Sequence, residues 1–109
     1  MATTYKVIAQ AAPSATTNTT LYTVPSATSA VVSTITIANR ASSQDTYRIA
    51  IRPGGATLAN EHYVAYDVPI QANDTTALTL GITLAATDII TVYAGTANLS
   101  FSVFGSEIT

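Results

Sequence analysis

The chain has 109 residues, no cysteine and no tryptophan, and only 9% of its residues are charged, for a formal net charge of −2; ordinary globular domains carry about 25%. That length favours a single domain, 1–109, able to bury a core without staples, and the missing cysteines exclude disulfides and thiolate metal sites. Its four cations, Lys6, Arg40, Arg48 and Arg52, are too few for a phosphate-binding patch, which excludes nucleic acid as a partner.

From the N-terminus, the segment Met1–Lys6 lacks the apolar stretch of a secretory signal. No run approaches the roughly 18 uninterrupted apolar residues of a membrane span. The reading is a soluble chain made without export, with no membrane partner. "TYKVIAQ" and "TLYTV" read as the first two strands, separated by the loop "AAPSATTNTT". Pro25 then leads a tight turn into "SAVVSTITIAN", which alternates with period two as a half-buried strand does. Val31, Ser33, Ile35 and Ile37 fall on one face of it, and Val32, Thr34, Thr36 and Ala38 on the other.

After the turn "NRASSQD", "TYRIAIRP" places Tyr47, Ile49 and Ile51 inward and Arg48 and Arg52 outward. "PGGATLANE" is a loop whose glycines allow positive φ. "HYVAYDVPI" groups Val64, Tyr66 and Val68, with Tyr63 pointing the other way. "ALTLGITL" reads as one strand with Leu78, Leu80, Ile82 and Leu84 inward. "DIITVYA" and "NLSFSVFG" complete the set, the last with Leu99, Phe101 and Val103 inward and Phe104 outward. Gly105 is then expected to let the chain turn into a short tail carrying Ile108. About eight short strands at regular spacing, with no amphipathic helix, predict an all-β single antiparallel β-sandwich, Ig-like or jelly-roll-like.

Residues for catalysis are scarce. His62 is the only histidine, and a Ser–His–Asp arrangement built on it with Asp67 lacks a nucleophile-elbow sequence. Glu61 and Asp67 would lie roughly 20 Å apart on an extended strand, too far for paired-carboxylate hydrolysis. Asp74 and Asp88 fall in turns, where aspartate bonds the local backbone. There is no EF-hand, His cluster or P-loop pattern, so neither a catalytic site nor a metal or other cofactor is expected. The Asn-x-Ser/Thr triplets at Asn18, Asn73 and Asn98 are expected by chance in so Thr-rich a chain.

What remains is a surface of Thr, Ser, Ala and Asn. No Asp, Glu, Lys or Arg occurs from Thr19 to Asn39. A charge-free face can be covered by a neighbour without desolvating ions, and the strand edges are expected to lack Lys and Pro gatekeepers. Multicopy assembly follows, with Phe104, Ile108, Thr34 and Thr36 as candidate interface residues. An alternative is a carbohydrate-binding module used in host adhesion. Tyr63, Asp67 and His62 would then touch the sugar, because tyrosine stacks on apolar ring faces.

The runs "LYTVPSATSAVVSTITIANR", "YRIAIRPGG", "HYVAYDVPI", "ANDTTALTLGITLAATDIITVYA" and "SFSVFGSEIT" resemble small β-rich structural proteins of tailed bacteriophages, especially cyanophages and other aquatic phages, and the likeness covers nearly the whole chain, from Tyr5 to Thr109. The resemblance rests on strand and turn sequences and involves no catalytic signature. It implies a non-enzymatic virion protein assembled in the host cytoplasm, an outer accessory subunit of the head, neck or tail. Its implied partners are other copies of itself, as a homo-oligomer, and other phage virion proteins.

Overall fold

A computed structural model describes residues 2–109, and among them nine strands and two short 3-10 turns form the regular structure. The strands are β1 (Thr3–Ala11), β2 (Thr19–Thr23), β3 (Ser29–Asn39), β4 (Asp45–Arg52), β5 (Tyr63–Ile70), β6 (Thr75–Leu78), β7 (Ile82–Leu84), β8 (Ile89–Ala94) and β9 (Leu99–Ile108). The turns are Pro53–Gly55 and Asn60–His62. Sheet I runs β1-β9-β3-β6, with β7 also on β3; sheet II runs β2-β8-β4-β5. Every strand pairing is antiparallel.

With β6 and β7 taken as one interrupted strand, the first strand pairs with the last, the second with the next to last, and so on inward to β4 with β5. The chain is thus one long hairpin rolled into two facing sheets. Between the two expected architectures, this winding is that of a jelly roll. Between the sheets lie Val32, Ile35, Ile37, Leu99, Phe101 and Val103 from sheet I, and Tyr47, Ile49, Ile90 and Val92 from sheet II, each almost fully buried. The Tyr47 and Phe101 rings meet edge to face at 6.5 Å across the middle. Arg48 and Arg52 face outward, as the alternation requires.

Four expectations fail, three of them at a break in regular pairing. "ALTLGITL" is two strands, because Gly81 takes φ +63 and Thr79, Leu80 and Gly81 lie opposite only Ser33 and Thr34. The extra residue turns Leu80 out, and it is 48% exposed, while Leu78 and Ile82 pack at the core margin. A bulge at Ser33 reverses the alternation in β3, so Val32 is inward and Val31 outward. In β5 the register shifts twice and Asp67 takes φ +50. Ala65 and Val68 therefore pack inward, and Val64 and Tyr66 are exposed.

The fourth correction concerns the C-terminus. No turn occurs at Gly105, because β9 continues to Ile108 with Gly105 paired to Lys6 and Val32. A Cβ there would overlap the Val31 carbonyl, so this glycine serves close approach of two strands. The strand edges also differ from expectation. β5 is guarded by Pro69 and its irregularities, and β1 carries Lys6.

Where the sandwich closes at β1, Glu107 accepts an ion-paired contact from Lys6 Nζ at 2.5 Å and a hydrogen bond from the Tyr22 hydroxyl at 2.5 Å. It thereby ties β1 and β9 to sheet II. The Lys6 ammonium and then the Tyr22 hydroxyl hold the Glu107 carboxyl below its usual range, against the opposing effect of burial. A lowered carboxylate stabilises the fold fully above the ordinary glutamate range and loses that contribution as pH falls through its folded value. Glu107→Gln is therefore expected to lower Tm by a few degrees at neutral pH and to leave a shallower acid dependence below about pH 4.3. Thermal melts of both proteins across that range check it.

Candidate functional site

The two sheets present outer faces of opposite character. In sheet I, directly opposite residues share a face, so the register decides what lies together. Phe104 pairs with Thr34 on one side and Val7 on the other, Thr36 pairs with Ser102, and Ile108 pairs with Thr3 and Ser29. Since Val32, Ile35 and Val103 face the core, Phe104, Ile108, Thr34 and Thr36 all lie on the outer face. All four expected interface residues share this face, Phe104, Thr34 and Thr36 as neighbours and Ile108 further along β9. Phe104 and Ile108 are half-buried and take no part in the core cluster. Beside them stand Tyr5, 83% exposed, and Val7, 50% exposed.

Among the described residues, no Asp, Glu, Lys or Arg occupies an outward register position of sheet I. Lys6 and Glu107 lie on the inward side, opposite Gly105 and Ala30. The β3 bulge matters here, since it moves Val31 outward and adds an apolar side chain that simple alternation had assigned to the core.

Sheet II carries the ionic groups. Arg48 Nε donates to Asp67 Oδ1 at 2.6 Å, and the guanidinium lies over the rings of Tyr66 and Tyr93, 4.2 and 4.3 Å from their centroids. The Asp67 carboxylate raises the Arg48 pKa further. Arg52 donates to the Gly55 and Ala56 carbonyls and to Thr91, which fixes the loop after β4. Tyr63 stands against Tyr66, centroids 4.9 Å apart and planes at 88°. Together with Asn60 they line an open cleft of about 260 Å³.

Of the three residues considered for sugar contact, only Tyr63 lines that cleft. Tyr63 and Tyr66 share a face rather than opposing ones, because one residue of β5 bulges between Tyr63 and Ala65. Asp67 serves as the partner of Arg48. His62 Nδ1 accepts the Ala59 N–H at 3.0 Å and so closes its own turn. Asn60, Tyr66, Arg48 and Tyr93 were missed as a group, since nothing local in the sequence reports that β4 and β8 lie side by side.

Asp74 and Asp88 do hold turns. Asp74 Oδ1 accepts the Thr75 N–H at 2.8 Å, and Asp88 accepts those of Ala85 and Gly54. Among the described residues, no three His, Asp or Glu side chains come close enough to hold a metal ion, and no helix is long and apolar enough to cross a membrane. The chain offers an uncharged sheet face of mixed hydroxylated and apolar side chains, backed by a charged and aromatic one. No protein-family model matches the chain, and no curated protein does.

Proposed function

We propose that this protein is a non-enzymatic structural subunit that acts in many copies, assembling through the outer face of sheet I. The observation that carries the reading is the charge-free face on which Phe104, Ile108, Val31, Thr34 and Thr36 stand together with exposed Tyr5 and Val7. Exposed apolar surface gathered in one place marks an interaction site. Removing it from water costs no ion desolvation.

The size is adequate. A face four strands wide and up to eleven residues long measures at most roughly 36 by 17 Å, so a two-fold pair would bury up to about 1,200 Å², the lower bound of a specific interface. A second copy suits it best because a neutral face is complementary to itself. The resemblance to tailed-phage proteins supplies the setting: an outer accessory subunit of the virion, as decoration or as a neck or tail appendage, bound to copies of itself and to other virion proteins. Jelly rolls serve both capsids and lectins, so the fold itself favours no function.

Sedimentation equilibrium tests the reading. The wild-type chain is expected to form an oligomer whose dissociation constant hardly changes with salt, since screening acts on charges. Phe104→Lys, which places an unpaired charge in the interface, is expected to leave a monomer with nearly unchanged Tm. A wild-type protein that stays monomeric at millimolar concentration would overturn assembly through this face.

A further inference from the structure

We propose that the cleft between Asn60, Tyr63 and Tyr66 binds a neutral saccharide, taking one pyranose ring. It lies on sheet II, opposite the assembly face, and does not depend on that reading. The perpendicular Tyr63 and Tyr66 rings form a corner that offers an aromatic wall to the apolar C–H face of a sugar, and each ring carries a hydroxyl able to donate and accept. Asn60 adds an amide that both donates and accepts, which matches the paired donors and acceptors of sugar hydroxyls.

The corner is held in advance of any ligand. Arg48 packs on Tyr66 and Tyr93 and is itself fixed by Asp67, so Tyr66 loses little freedom on binding, which favours affinity. The same pairing decides the charge of the ligand. The guanidinium is already paired with the Asp67 carboxylate and packed against two rings, so an anion finds no free partner there, and the exposed Glu61 carboxylate next to Asn60 disfavours one further. A volume of about 260 Å³ falls below the roughly 300–1,000 Å³ of sites for larger organic ligands, which suits a single ring of a longer glycan.

The test uses the full-length ¹⁵N-labelled protein titrated with the methyl glycosides of glucose, galactose, mannose and N-acetylglucosamine, and with methyl glucuronide as the charged comparison. At least one neutral glycoside is expected to bind saturably in the millimolar range, shifting the amide signals of Asn60, Tyr63 and Tyr66 and leaving those of Thr34 and Phe104 in place. Tyr63→Ala and Tyr66→Ala should each weaken binding roughly tenfold, and Tyr63→Phe should retain most of it, since the ring remains. Phe104→Lys should bind sugar like the wild type, which separates failure of this site from failure of the assembly face. The proposal is overturned if none of the four neutral glycosides saturates, if binding survives both alanine substitutions, or if the glucuronide binds more tightly and loses that advantage in Arg48→Gln.

Discussion

Replacing Gly105 with alanine is expected to destabilise the protein by at least about 3 kcal/mol, a fall in Tm of roughly 12–24 °C for a domain of this size. The sign is what makes the test informative. Glycine in an ordinary strand is the weaker choice, and alanine there gains about 0.5–1 kcal/mol. At Gly105 the added Cβ would overlap the backbone carbonyl of Val31 and crowd Val32. No side-chain rotation can relieve contact with main chain, so β3 and β9 must move apart where they pair, beside the Ser33 bulge. Calorimetry decides it: an unchanged or raised Tm would mean that the two strands do not approach as described.

Phe101→Ala is expected to cost about 3–5 kcal/mol, through lost burial and the cavity left behind. Phe101 is fully buried and pairs with Ile37 in its own sheet while its ring meets Tyr47 of the other. Those neighbours belong to rigid strands and can close the gap only partly. Phe104, three residues along the same strand, should behave oppositely: its truncation alters assembly and barely touches Tm. Denaturant unfolding of the two variants under dissociating conditions separates the roles. Equal destabilisation would place Phe104 in the core.

The fold was legible wherever strands are regular. Period-two alternation alone sent Ile35, Ile37, Ile49, Phe101 and Val103 inward, and all five are buried. A turn was expected at Gly105 because glycine permits one, whereas that glycine serves close strand approach; alternation failed at Leu80, at Val31 and Val32, and at Val64 and Tyr66, and there the reason is the same each time. One extra residue on one strand reverses every side chain beyond it, and whether a residue is extra depends on its partner strand, which the local sequence does not contain. Thr34, Thr36 and Phe104 were placed outward correctly because the β3 bulge precedes the two threonines and β9 itself carries no extra residue. The Arg48 cluster was illegible for a different reason: Arg48, Tyr66 and Tyr93 come from three strands of sheet II.

Assembly through the outer face of sheet I is most directly measured by thiol protection, which the absence of native cysteine makes clean. Thr34→Cys places a single thiol beside Phe104 on that face, and Thr20→Cys places one on the exposed edge of sheet II. Reaction with a maleimide is followed above and below the concentration at which the oligomer dissociates. The expected result is that the thiol at position 34 is protected in the oligomer and reactive in the monomer, while the thiol at position 20 reacts at the same rate in both. Equal reactivity at position 34 in oligomer and monomer would contradict burial of this face between copies.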